Sequence, residues 1–254
     1  MNVVIFDTET ISVDKPFCYN VGYCIFDTER EEVIAEHDFV IEQVWHNPML
    51  FSTAYYAEKK PLYISAMRSR KTHMEKWGYV TQFMAREFKA LSVMAGYAYN
   101  SGFDERVFDY NCEWFKTINP FDNIPVFDIR GYVHNKIAFE KEYQSFLERY
   151  ELFTDSGNYS TTAESVYRYL TNNPEFNEAH TALSDSQIEL SILQHTIRKG
   201  CKYNFNYKVY NSIPRKLPKV LEVKDTQGQK HYFDYIKLTD YKERNGKKKI
   251  ILRG

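Results

Sequence analysis

The sequence has little of what marks several protein classes. Its 254 residues include only four cysteines, ten glycines and eight prolines. Cys18, Cys24, Cys112 and Cys201 show no Cys-x-x-Cys spacing, so neither a zinc knuckle nor a disulfide framework is indicated. Free buried thiols in a reducing cytoplasm are expected instead. Gly and Pro are too scarce for a fibrous or disordered chain. No run approaches the roughly 18 consecutive apolar residues that a membrane span needs. Met1-Asn2 offers no basic region and the apolar run Val3 to Phe6 stops at Asp7, so no signal peptide is expected. What is present, 43% hydrophobic and 26% charged residues, fits one large globular domain or one domain with an appendage.

The formal net charge of −1 conceals an asymmetry. Residues 200–254 hold 14 Lys and Arg against 5 Asp and Glu, a net of +9, whereas residues 1–199 hold 19 against 29, a net of −10. A basic tail on an acidic body suggests two jobs on one chain and a division into 1–199 and 200–254. The plain alternative for the tail is a solvated Lys-rich hairpin that packs on the body or forms a dimer contact; monomer and homodimer both fit. Aromatic residues are plentiful, with 21 Tyr, 18 Phe and 3 Trp. Most serve packing, because large rings dominate burial, and a minority is suited to stacking on bases.

Residues 2–7 have the short β-branched and aromatic run of a buried strand. Cys18 to Phe26 and Glu32 to Ile41 follow as strands around the polar turn Asp27 to Glu31, an antiparallel opening meander. Residues 74–91 place Val80, Phe83, Met84, Phe88 and Leu91 at helical spacing. A strand (93–99), a helix (103–116) and a strand (124–129) come next, then mostly helix. Thr161 with Glu164 makes a capping box, Asn172-Asn173-Pro174 ends that helix, and residues 182–198 form a last helix stopped by Gly200. The order predicts a mixed α/β sheet. Strands at 220–224, 231–238 and 248–252, with Asn245-Gly246 as a hairpin turn, predict a small basic β appendage. The stretch 43–73 fits no element cleanly and reads as a loop with a short helix, carrying Arg68, Arg70 and Lys71.

Three places carry chemistry. Asp7 and Glu9 lie two apart at a strand end, so both side chains point to one face. Held together they repel, and a hard divalent cation is the usual neutraliser. The stretch Asn100-Ser101-Gly102-Phe103-Asp104 follows a strand and opens a helix: Asn100 or Ser101 can cap it, and Asp104 falls in its first turn. In His180-Thr181-Ala182-Leu183-Ser184-Asp185 the acid lies near the start of the last helix. The histidine must sit outside that helix to face the same site, where it can move protons near neutral pH.

Singly, each is explained by solvated acids, a helix-dipole partner or a surface histidine. As an ordered set, Val4 to Thr10, Tyr99 to Asp104 and His180 to Asp185 resemble the motifs of the DEDDh 3′–5′ exonucleases, the proofreading-exonuclease type within the ribonuclease-H-like superfamily. The resemblance covers about residues 2–199 and leaves 200–254 unassigned. It implies a five-stranded mixed sheet, three antiparallel strands then two parallel ones, flanked by helices. It also implies two divalent ions, Mg2+ or Mn2+, with Asp7, Glu9 and Asp185 on one, and Asp7 bridging to a second that Asp104 reaches directly or through water. Carried over, His180 takes a proton from the attacking water, and a nucleoside 5′-monophosphate leaves the 3′ end of a single strand; the family's site is shared by DNA and RNA enzymes, and DNA is the expectation here. Thr8, Thr10, Asn100 and Phe103 are expected near the terminal nucleotide. The acidic body should repel a polyanion, and the basic 200–254 segment is the expected compensation.

Three other readings fit parts of this pattern. A haloacid-dehalogenase-type phosphatase also opens on a strand ending in an aspartate, but it needs a downstream Gly-Asp pair, which this sequence lacks. A catalytically silent nucleic-acid-binding module would be expected to have lost a carboxylate, yet all four acids and the histidine are present. An exoribonuclease shares the same site residues, since discrimination rests on the 2′-hydroxyl.

Overall fold

The β-branched run Val3-Val4-Ile5 forms the centre of β1 (Asn2–Thr10), and every other strand of the main sheet is added around it in a computed structural model. Described residues are 1–54, 56–215, 220–224, 226–234, 242–244 and 247–249. β2 (Cys18–Asp27) and β3 (Glu32–Ile41) complete the antiparallel meander. Helices α1 (Glu42–Trp45) and α2 (Pro48–Phe51), a 3-10 turn (Ala57–Lys59) and α3 (Lys60–Arg68) fill the stretch that lacked a clear pattern. β4 (His73–Glu75), α4 (Trp77–Ala90), β5 (Val93–Ala98) and α5 (Gly102–Phe115) follow. β6 (Val126–Asp128), α6 (Ile129–Lys136), α7 (Lys141–Arg149), α8 (Ala163–Leu170) and α9 (Ala182–Arg198) complete the order.

The sheet order is β4-β3-β2-β1-β5-β6, with β5 parallel to β1 and β6 parallel to β5. The expected mixed sheet is present with a sixth strand: β4 pairs in parallel with β3 from Phe39↔His73 to Ile41↔Glu75. At three residues it is too short to leave a period-2 signal in sequence. Successive side chains of β1 divide between two cores. Val4 and Phe6 pack with Val80, Met84, Val107 and Phe108 beneath α4 and α5. Val3 and Ile5 pack with Val133, Ile188, Ile192 and Leu193 beneath α6 and α9. All four cysteines are buried and free. Among the described residues no helix is long and apolar enough to cross a membrane.

The chain divides into Met1–Ile213 and Pro214–Gly254, not after residue 199. Residues 200–213 stay with the body because their backbone is tied to it. The Tyr97 hydroxyl accepts from the Asn204 amide at 2.8 Å, His134 Nδ1 accepts from the Tyr210 amide at 2.9 Å, and the Tyr159 amide donates to the Ile213 carbonyl at 3.0 Å. In the second unit Val220–Lys224 pairs antiparallel with Lys230–Asp234, and Lys242–Arg244 with Lys247–Lys249. The Asn245-Gly246 turn and the outer parts of the strands expected at 231–238 and 248–252 lie outside the described residues.

Candidate active site

Asp7 and Glu9 lie on β1, whose ladder extends to Thr10, and alternation puts them on the α9 side of the sheet. Their cross-strand partners decide what can approach. Asp7 stands opposite Gly22 and Glu9 opposite Asn20. A Cβ on Gly22 would lie 1.9 Å from the Leu183 backbone nitrogen, so only glycine lets the first turn of α9 press onto the sheet there. Asn20 fixes that turn: its Oδ1 accepts from the Ala182 amide at 2.8 Å, while its Nδ2 donates to Asp38 at 2.6 Å and to the Phe39 carbonyl at 3.0 Å. Asp185 is thereby delivered beside Asp7 and Glu9.

Asp104 arrives from the other side of the sheet, in the first turn of α5. Thr8, which points that way, donates its hydroxyl to Asp104 Oδ1 at 2.6 Å. The expected side-chain cap of α5 is not made. Ser101 donates to Glu105 instead, and the turn is achieved by Asn100 in the left-handed conformation at φ 63°, its amide donating to Asp128 at 2.9 Å. The capping box likewise shifts by one residue: Thr162, not Thr161, accepts from the Ser165 amide.

His180 lies outside α9, two residues before its start, with φ 49°. One atom each from Glu9, His180 and Asp185 lie within 4.8 Å of one another. The four acids are close enough to perturb each other. Burial first, then Asp104, pushes the Asp7 carboxyl well above the usual carboxylate range. Burial, then Asp7 and Asp185, does the same to Glu9, with Lys59 opposing. Burial outweighs the Thr8 hydrogen bond and moves Asp104 up to about 7. Burial, then Asp7, moves Asp185 up to about 8. His180 is lowered by burial and then by Lys59.

Two further acids join the cluster. Glu178 lies 3.8 Å from His180 Nδ1 and is raised to about 8 by burial and then Asp185. Glu189, 4% exposed on α9, is raised by burial and then by Asp7, Asp104 and Asp185. Glu189 follows Asp185 at i,i+4, which places both on one helix face and was the available sequence signal. Glu178 had none, because its role arises from an irregular loop. Asp185 Oδ1, Glu178 Oε1 and Glu189 Oε2 are buried without a hydrogen-bond partner among the described residues. Crowded, partly orphaned carboxylate oxygens suit a hard divalent cation, so this acidic cluster fits such an ion.

The remaining expected residues are placed as follows. The Thr8 hydroxyl is committed to Asp104, and the Thr10 hydroxyl donates to the Ser12 carbonyl at 3.2 Å. Half-buried Phe103 packs against the α4–α5 core, with Arg106 over its ring. Asn100 lines a cavity of about 290 Å³ with Tyr99, Arg130, Thr154 and Thr161.

No protein-family model matches the sequence, and no curated protein matches it. Solved structures do. The nuclease domain of 3′hExo, a DEDDh family member bound to rAMP, superimposes with a TM-score of 0.51 at 11% identity, covering 84% of this chain and 97% of that one. Exonuclease I superimposes with a TM-score of 0.50 at 16% identity, covering 78% of this chain and 41% of that one. The chain therefore spans about two-fifths of the length of exonuclease I. The sheet topology and the superposition with the 3′hExo nuclease domain give the chain a ribonuclease-H-like fold.

Proposed function

We propose that the chain is a metal-dependent 3′–5′ exonuclease that hydrolyses the terminal phosphodiester of a single strand, DNA in preference to RNA. The observation that carries this reading is the convergence of Asp7, Glu9, Asp104 and Asp185 with His180, from β1, α5 and the start of α9. Asp7, Glu9, Asp104 and Asp185 would hold two Mg2+ or Mn2+ ions, which when bound stabilise charge on the attacking and leaving oxygens. His180 accepts the proton of the attacking water, burial and then Lys59 favouring its neutral, proton-accepting form. Water oxygen bonds to phosphorus, the P–O3′ bond breaks, the freed O3′ of the shortened strand takes a proton from solvent, and the departing nucleotide is a 5′-monophosphate. Glu178 lies 3.8 Å from His180 Nδ1, at the edge of the same cluster. Thr8 holds Asp104, and the positive 200–254 segment supplies non-specific attraction to phosphates that the acidic body lacks.

A 5′-labelled single strand, as DNA and as RNA, digested with Mg2+ or Mn2+, tests the proposal. A ladder shortening from the 3′ end of the DNA supports it. Shortening of the RNA alone makes the chain an exoribonuclease, and binding without cleavage returns it to a silent module.

A further inference from the structure

A positive φ is uncommon for a residue other than glycine, and His180 adopts one at 49° in a loop with no regular structure between α8 and α9. Something must hold it there. The contacts come from the stretch between β3 and β4, which the proposed reaction leaves unused. The Tyr56 ring lies on the His180 ring with centroids 4.3 Å apart and planes inclined by 12°. Lys59 Nζ donates to the Ala179 carbonyl at 2.5 Å and sits 4.6 Å from the centre of the Tyr56 ring. Tyr63, anchored on Asn20 at 3.1 Å, places its hydroxyl 3.5 Å from the His180 carbonyl.

We propose that Tyr56 is a positioning residue for His180, with Lys59 and Tyr63 clamping the backbone on either side of the stack. This rests on the exonuclease reading for its catalytic meaning. A face-to-face stack fixes the plane of an imidazole without using either nitrogen. One nitrogen is then left beside Glu178, and the ring edge stays within reach of Glu9 and Asp185. Holding the ring by an in-plane hydrogen bond to a nitrogen would instead have consumed an atom needed for proton transfer. The helices around Tyr56 are short, but their apolar side chains Trp45, Phe51 and Tyr63 are buried in the main core, so the platform under the stack is firm.

Two measurements on the full chain test this. In spectra of the protein with isotope-labelled histidine, the ring protons of His180 are expected to be shifted upfield by the Tyr56 ring. The shift should persist in Tyr56→Phe and vanish in Tyr56→Leu. On the labelled strand, Tyr56→Leu is expected to lower kcat by about 10- to 100-fold at unchanged KM, with Tyr56→Phe near wild type. An unshifted His180 signal in the wild-type chain overturns the stack, whether or not the chain is a nuclease. A raised KM at unchanged kcat overturns it too, since Tyr56 would then be touching the strand. A shifted signal in a wild-type chain that cleaves nothing overturns the exonuclease reading and, with it, the catalytic meaning of the stack.

Discussion

Residue types carried much of the site. A carboxylate or an imidazole announces its chemistry wherever it stands, and the motifs that resemble the DEDDh exonucleases singled out Asp7, Glu9, Asp104, His180 and Asp185, of which Glu9, His180 and Asp185 come within 4.8 Å of one another. Gly22 and Asn20 were not, because their roles exist only across the β1–β2 ladder and against α9. If His180 moves the proton, His180→Ala should lower kcat by about 10²–10⁴-fold while oligonucleotide affinity is kept, as read from single-turnover cleavage and a binding titration. The crowded acids also set a pH dependence. Asp104 and Asp185 titrate at about 7 and about 8 in the folded chain, against an ordinary value of 3.8. The folded state therefore holds protons that the unfolded state gives up. That stabilisation is complete below about pH 4 and is lost as pH rises through about 7 to 8. Cation-free protein should melt several degrees lower at about pH 8.5 than at about pH 5.5, and Asp185→Asn should flatten the difference.

At the scale of elements, the long periodic ones were readable and the short ones were not. Residues 74–91 showed apolar positions at helical spacing, and α4 runs Trp77–Ala90. By contrast α1, α2 and the 3-10 turn are three or four residues long, held by the tertiary burial of Trp45 and Phe51 rather than by their own pattern. The junction between β2 and α9 is the tightest contact in the site. Gly22→Ala puts a methyl group into the Leu183 backbone and is expected to cost about 1–3 kcal/mol, measured by denaturant unfolding. It should also reduce cleavage, because relief requires α9, and with it Asp185, to move. Full stability in that variant would mean that the helix does not press on the sheet as described.

For the whole molecule, the uneven charge along the sequence is the property that composition reported most directly and connectivity least. The division of the chain falls after Ile213 because residues 200–213 find backbone partners on the body, which no charge count reveals. The body carries the acids of the site, so attraction to a polyanion has to come from elsewhere. Replacing Lys242, Lys247, Lys248 and Lys249 with Gln should reduce the dependence of oligonucleotide affinity on salt. The slope of log K against log salt is expected to fall by up to about 0.7 for each lysine that meets a phosphate of a single strand. An unchanged slope would leave the segment some other task.

The clustering of six acids has one more consequence. With several of them still protonated near neutrality, any cation that settles among them must evict hydrogen ions into the medium. The heat released on loading should then differ between Tris and PIPES buffers by an amount set by the buffer's own ionisation, so a calorimeter counts the ions displaced without any substrate being cut.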